Sequence, residues 1–356
     1  MTRENRAASP TSGTEAEGRL AVVLFNLGGP DSPDAVRPFL YNLFNDPRII
    51  GLPTPLRQFV ARLISNRRAP IAREIYAEIG GRSPIVPETE AQARALEAAL
   101  GPGARVFIAM RYWHPRAHDV ARQVKEWGAD EIVLLPLYPQ FSTTTSESSL
   151  VEWDQAAAAA GLNVPTRRLC CFPTEAGFVA AQADAVRKAL SEIREGVPRV
   201  LFSAHGLPEK TIKAGDPYQA QVERSAAAVA EALAIPGLDW RVTYQSRVGP
   251  LKWIGPPTDQ EIEAAGAEGR PVIVVPIAFV SEHSETLVEL DIEYRHLAEG
   301  AGVPQYVRVP TVGVAAPFVA GLAGLVRAAR AARPGAILSD GNSCPGECGR
   351  CPRRAA

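Results

Sequence analysis

The sequence predicts an α/β protein made of two similar halves, each a parallel sheet flanked by helices, with a cleft between them. Three observations carry this prediction. Short apolar runs alternate with amphipathic stretches from about residue 19 to residue 333, the pattern that right-handed strand–helix–strand crossovers produce. The runs are rich in Val, Ile and Leu and close on turn residues, as strands buried on both faces do. The same set of elements occurs twice, which suits a chain of 356 residues, long for a single domain.

With 46% hydrophobic and 22% charged residues and a net charge of −1, the composition is that of an ordinary globular chain. It creates no overall field that would draw nucleic acid. No segment approaches the roughly 18 uncharged apolar residues of a membrane span. Residues 1–18 are small, polar and charged; they lack the apolar centre of a secretory signal and read as a disordered tail. The cytoplasm is therefore the expected compartment, and the five cysteines need an explanation other than secretory disulfides.

The first half is expected over residues 19–165. A buried strand at 20–27 turns through Gly28-Gly29-Pro30 into a helix ending near Phe44, with Asp31, Ser32 or Asp34 as its cap. The turn is not GxGxxG and no acidic residue follows at dinucleotide spacing, which disfavours a nucleotide-dependent oxidoreductase. A tight connection and a ligand-facing loop both remain open for it. Residues 46–84 differ in character: positions 56, 59, 60, 63 and 64 form one apolar helical face, and Arg57 and Arg62 lie on the other, with Arg67 and Arg68 beyond. This is either a surface helix packed on the core or an apolar lip with a basic rim, able to touch a membrane surface or an amphipathic ligand. Helix 87–100, strand 105–110, a helix to Trp127 and strand 131–137 follow, and a Ser/Thr-rich turn opens the next helix. Arg111 and Tyr112, and Ser142 and Thr143 within 138–145, fall at strand carboxyl ends, where open α/β sheets take ligands. An arginine and hydroxyls there suit a carboxylate.

The second half is expected over residues 166–315, with strands at 166–172, 200–205, 240–245 and 272–277 and helices at 177–194, 218–233, 259–265 and 281–299. An Ala-rich helix lies in a segment 316–338 expected to pack back on the first half, and 339–356 is a cysteine-bearing extension. His205 ends its strand and Gly206-Leu207-Pro208 follows, a place where chemistry is usually done. The 281–299 helix carries Glu285, Glu289 and Glu293 at a spacing of four, with Glu282 on the same side and no basic residue interleaved. Like charges so spaced destabilise a helix by roughly 0.2–0.5 kcal/mol per pair. Such a row is either a solvated face or the carboxylate lining of a cleft, able to attract a cation or pass protons. In the tail, Cys344, Cys348 and Cys351 form C-x3-C-x2-C among Gly and Pro, a geometry that wraps a metal or cluster, with a zinc site or unligated thiols as alternatives.

Six stretches then combine: FNLGGPDSPDAVRPFLYNLFNDPRIIGLP, GGRSPI, YPQFSTTT, LFSAHGLPEKTIKAGDPY, YQSRVGPLKWIGP and SEHSETLVELDIEY, in that order between about residues 20 and 313. Together they resemble the ferrochelatase family. The resemblance implies two Rossmann-like, chelatase-type halves around a porphyrin cleft with no nucleotide bound. It implies insertion of Fe2+ into protoporphyrin IX with release of two protons, the last step of haem synthesis. By the same resemblance His205 serves one face of the ring, Glu285 is its counterpart across the cleft with His283 beside it, and Glu289 and Glu293 continue a proton or metal path. His205 and Glu285 would then meet the substrate Fe2+. Leu27 and Trp253 match pocket-wall positions, and Arg111, Tyr112, Ser142 and Thr143 would sit near the propionates. Coproporphyrin or another tetrapyrrole, another divalent metal, and a non-catalytic tetrapyrrole carrier are the alternatives.

Some members of the family carry a [2Fe–2S] cluster on three C-terminal cysteines and one internal cysteine. The resemblance assigns Cys344, Cys348 and Cys351 with Cys170 or Cys171; neighbours in a strand point to opposite faces, so one of the two is expected to serve. In membrane-associated members the lip, here 46–68, faces the bilayer. The expected partners are protoporphyrin IX and Fe2+, with no nucleic acid. The expected state is a monomer or homodimer, in the cytoplasm or peripheral on the inner face of the membrane.

Overall fold

The computed structural model describes residues 18–354 except 248, 250, 342 and 343; the expected tail at 1–18 lies outside the described residues apart from Gly18. Strand β1 (Leu20–Asn26) is buried along its whole length. It lies between β2 (Ala104–Met110) and β3 (Glu131–Pro136), both parallel to it, with Leu20 opposite Ala104 and Glu131. Strand β4 (Thr166–Cys171) follows β3, and the short β9 (Ile337–Ser339) closes the sheet. The second sheet has the order β6 (Trp240–Gln245), β5 (Arg199–His205), β7 (Val272–Pro276), β8 (Tyr306–Arg308), again all parallel.

The halves thus divide later than the sequence predicts. The strand beginning at Thr166 belongs to the first sheet, because its backbone pairs with β3 from Ile132 opposite Thr166 to Leu134 opposite Arg168. The crossing to the second sheet is made by α6 (Ala176–Glu192). The remaining helices are α1 (Val36–Phe44), α2 (Thr54–Ala77), α3 (Ile85–Leu100), α4 (Ala117–Trp127), α5 (Ser146–Ala160), α7 (Glu209–Lys213), α8 (Tyr218–Leu233), α9 (Thr258–Ala267), α10 (Tyr294–Gly300) and α11 (Ala316–Ala331).

One apolar core runs through both sheets. Val22 and Leu24 of β1, Phe202 of β5, Val275 of β7, Phe178 of α6 and Phe318 of α11 all belong to it. Each such side chain contributes roughly 1.5–3 kcal/mol on burial, so the two sheets stabilise one another. Helix α11 packs on α3, β3 and β4 of the first half and on the crossing helix α6. A polar seam fixes the carboxyl edges of the sheets together. Asn26 donates to Thr89 at 3.0 Å and to Ser281 at 3.3 Å, and Gln92 donates to the carbonyls of Val280 and Gly313 at 2.7 and 3.0 Å.

Two elements differ from their sequence pattern. In α2 the inward residues are Ala61, Ser65, Ala69 and Tyr76, while Leu56, Phe59, Leu63 and Ile71 are exposed, Phe59 by 66%. Small side chains on the inner face let α2 lie close along α1, and the large apolar ones are left outside. The acidic helix does not begin at Ser281: residues Glu285–Glu293 form a π-helix, wound with i→i+5 bonds, that continues into α10. Such segments are rare and concentrate at functional sites.

Candidate active site

His205 is the last residue of β5, so the sheet presents its imidazole at the carboxyl edge. The following Gly206 has no room for a side chain: a Cβ there would lie 2.9 Å from the Gln245 carbonyl oxygen and 3.4 Å from the Trp253 ring. Pro208 pairs with Trp253 as an isolated antiparallel bridge, which holds the half-buried indole over the turn.

The His205 Nδ1 lies 2.8 Å from Glu285 Oε2. Burial alone pulls the imidazole pKa down, but the hydrogen-bonded Glu285 carboxylate, with Glu289 behind it, overrides burial and lifts it from 6.5 to about 9. Burial likewise raises Glu285, and His205 overrides it, bringing the carboxyl from 4.5 to about 2. At neutral pH the pair is imidazolium and carboxylate. Glu289 comes next along the π-helix. It accepts from the Ser246 amide at 2.8 Å, from the Ser246 hydroxyl, from Gln245 Nε2 at 3.3 Å and from the Tyr294 hydroxyl at 3.3 Å. Its pKa is raised by burial and by the Glu285 charge. Ser246 adopts a left-handed backbone at φ 60° to reach it, local strain of the kind that collects at functional sites. Glu293 is exposed, so the carboxylates run from the His205 pair to solvent.

Glu282 leaves this row. Arg308 of β8 grips it at 2.6 Å and also reaches Asp291 at 3.2 Å, so the fold supplies the cation missing from the local sequence. His283 is buried, with Nδ1 3.1 Å from the Ser281 carbonyl oxygen and its ring 4.7 Å from Phe279. A carbonyl only accepts, so Nδ1 carries the proton. Burial lowers the pKa, and the ring is neutral with its Nε2 lone pair unprotonated.

The geometry corrects two expectations. His205 and Glu285 touch, and the gap between them is narrower than an aromatic ring is thick, so they do not face each other across a macrocycle. They form one wall together. The first half approaches this wall through Tyr76 of α2, which accepts from Ser284 at 3.4 Å. Leu27 is half-buried against the α1–α2 cluster that includes Tyr76.

The second correction concerns the propionate side. Arg111 binds Asp46 at 2.8 Å, lies 3.4 Å from Glu152 and donates to Ser148; Tyr112 is buried and donates to Asp46 at 2.7 Å. The Ser142 hydroxyl, the Thr143 amide and the Thr143 hydroxyl all bond Asp216, at 3.0, 2.8 and 2.7 Å. The carboxylates that these donors suit are the protein's own.

The sequence model of the ferrochelatase family matches residues 19–330. The chain belongs to the ferrochelatase family. It is 55% identical over 345 residues to the ferrochelatase of Caulobacter vibrioides, covering 94% of this chain and 98% of that one. It is 56% identical over 344 residues to that of Phenylobacterium zucineum, with coverages of 94% and 98%. Among solved structures it is similar to SirB from Bacillus subtilis with Fe3+, at a TM-score of 0.52 and 14% identity, covering 88% of this chain and 96% of that one. That likeness shows the chelatase fold.

In this ferrochelatase-family chain the cysteines also come together. Cys170 and Cys171 are buried with their sulfurs 3.3 Å apart. They do not point to opposite faces, because the pairing of β4 with β9 shifts register between Leu169 and Cys171. Cys344, Cys348 and Cys351 are buried against one another beside Ala220. Gln221 Nε2 donates to Cys344 Sγ at 3.1 Å and to Cys171 Sγ at 3.5 Å, so one amide joins the tail group to β4. None of the five cysteines is in a disulfide. Sequence reasoning missed Asp46, Asp216, Gln221, Ser246 and Arg308. Asp46, Asp216 and Ser246 stand inside the recognised stretches, but nothing in a linear sequence shows what they bind.

Proposed function

We propose that the His205–Glu285 wall is where this member of the ferrochelatase family inserts Fe2+ into protoporphyrin IX in haem synthesis. The observation that carries the assignment is the 2.8 Å His205–Glu285 pair at the carboxyl edge of β5, backed by Glu289. Insertion replaces two pyrrole protons by the metal. In the resting pair His205 already holds a proton, so it must lose one before it can take one. A dication reaching Glu285 draws on the carboxylate charge and removes what stabilises the imidazolium. The proton leaves, and the neutral imidazole can then accept a proton from the porphyrin. Glu289, whose raised pKa suits it to carry a proton, passes protons toward the exposed Glu293. The neutral His283 is a second base beside this path. Carboxylate and imidazole hold Fe2+ without the grip of thiolates, which suits a metal that must move on. Trp253 and Leu27 offer apolar contact to the ring. Anaerobic Fe2+ with protoporphyrin IX or coproporphyrin, followed by absorbance, tests the reading. Metallation of protoporphyrin is expected; metallation of coproporphyrin alone would reassign the substrate.

The cysteine donor set fits a [2Fe–2S] cluster. Three buried thiols pack together, and a fourth shares the Gln221 amide with Cys344. Among the described residues no group of three or more His, Cys, Asp or Glu is set out to hold a metal ion; four thiolates around two irons are spread more widely than around one. Cys171, which shares the Gln221 amide with Cys344, is the internal ligand on this reading. When bound, such a cluster supplies a covalent staple and a one-electron couple. Purified protein is expected to contain roughly equal iron and acid-labile sulfide, as that stoichiometry requires; colourless protein with zinc would reject the assignment.

The exposed Leu56, Phe59, Leu63 and Ile71 of α2, bordered by exposed Arg62, Arg67 and Arg68, support a lip on a membrane surface. Among the described residues no helix is long and apolar enough to cross a membrane. Loss of binding to anionic liposomes in a Phe59→Ser/Leu63→Ser variant is the expected result.

A further inference from the structure

The turn between α7 and α8, together with the first residues of α8, joins three parts of the molecule that are distant in sequence. On one side the tail docks on it: the Arg350 amide donates to the Gly215 carbonyl at 3.0 Å, and Gly215, at φ +95°, has a neighbour so close that a Cβ would lie 3.0 Å from the Gly349 nitrogen. On the other side the turn holds the loop that follows β3. Gln221 Oε1 accepts from the Phe141 amide at 2.7 Å, and Asp216 takes the Ser142 and Thr143 donors while capping the Tyr218 amide at 3.0 Å. The same Gln221 side chain, 1% exposed, spends its amide nitrogen on the sulfurs of Cys344 and Cys171. The Phe141 ring itself packs on Cys170 and Cys171.

The held loop spans the two sheets. Its Gln140 reaches Ser225 at 2.7 Å and the Ile277 carbonyl at 3.3 Å, at the end of β7 from which the His283 segment departs. Tyr218 lies against the backbone of His205. Loop 139–145 therefore has its main chain fixed by a side chain whose other end is fixed by thiol sulfurs.

We propose that Gln221 is a positioning residue that couples the cysteine centre to loop 139–145, so that occupancy of that centre sets the shape of the porphyrin cleft. The inference rests on the [2Fe–2S] assignment. N–H groups donated to ligating sulfurs raise the reduction potential of a cluster, and an acceptor for the Phe141 amide holds the loop. The two ends of Gln221 can therefore be separated. Gln221→Leu removes both. Gln221→Glu keeps the acceptor and removes the donor.

The test uses the full-length protein, purified anaerobically. In Gln221→Leu the cluster's midpoint potential is expected to fall and its absorption spectrum to shift. The porphyrin KM should rise about three- to ten-fold, the scale of one or two lost hydrogen bonds, with kcat changed less than about two-fold. In Gln221→Glu the potential should fall while KM stays near wild type. Hydrogen–deuterium exchange on the unmodified protein needs no variant: stripping the cluster with a chelator should speed exchange at residues 140–145. A wild-type potential in Gln221→Leu overturns the coupling, as does exchange at 140–145 that ignores cluster removal. Wild-type protein without iron and sulfide fails differently, and overturns the cluster assignment with the coupling that rests on it.

Discussion

Each half of the molecule carries a carboxylate paired with a cation at the carboxyl edge of its sheet, buried in the first half and half-buried in the second. In the first half Asp46 binds Arg111, and in the second Glu285 binds His205, both at 2.8 Å. The two pairs share a distance and differ in everything around it. The Asp46 side chain has no exposure, and Tyr112 and Ser148 donate to the oxygen that also receives Arg111. Its cation cannot release a proton. The His205 side chain is 39% exposed and Glu285 25%, and the cation there titrates. A saturated pair with a permanent cation fixes loops. A pair with a titratable cation and an open side can exchange a proton for a metal.

Substitution separates the two roles. His205→Ala removes the proton acceptor, and the rate of Fe2+ insertion is expected to fall by about 10²–10⁴, with little change in thermal midpoint. Insertion at the wild-type rate would show that the open pair is no more chemical than the closed one. Asp46→Ala should do the reverse. It leaves Arg111 with Glu152, at 3.4 Å, as its remaining carboxylate and with the Ser148 hydroxyl, and losing one partner of a buried pair costs about 3–5 kcal/mol. Because Glu152 remains, the low end of that range is expected in denaturant unfolding, with kcat per folded molecule close to wild type. A large loss of kcat without a loss of stability would mean that Arg111 meets substrate after all.

The strands were legible because parallel strands buried on both faces are continuous apolar runs, as in β1 and β5. β8 and β9, at three residues each, are too short to carry such a run. Their places are set by pairing, as is that of β4 in the first sheet. At the site, residue type and position at a strand end singled out His205, the acidic spacing singled out the row from Glu285 to Glu293, and the family resemblance assigned their roles. Their partners were another matter. Arg111 is 65 residues from Asp46 and Ser142 is 74 residues from Asp216, so donors that looked available for a ligand are consumed by contacts that only folding creates. The same holds for Cys170 and Cys171: strand alternation separates their sulfurs, and a register shift against β9 brings them together.

The smallest expected effect is also the sharpest test of the contrast, because it depends on which cation titrates. Folding raises the His205 pKa from 6.5 to about 9 and lowers that of Glu285 from 4.5 to about 2. For His205 the stabilisation is complete below about 6.5 and is lost as pH rises through about 9; for Glu285 it is complete above about 4.5 and is lost as pH falls toward 2. The pair therefore contributes most between those limits. The Asp46 pair has no histidine in it. The difference in thermal midpoint between wild type and His205→Gln should be widest near pH 6 and shrink as pH rises through about 9. It should be smaller than the pKa shift alone implies, since water screens a half-exposed pair. Asp46→Ala should show no such narrowing over the alkaline limb. A midpoint difference for His205→Gln that is flat from pH 6 to pH 10 would mean that His205 is neutral beside Glu285. Proton release on arrival of the dication would then have no proton to release.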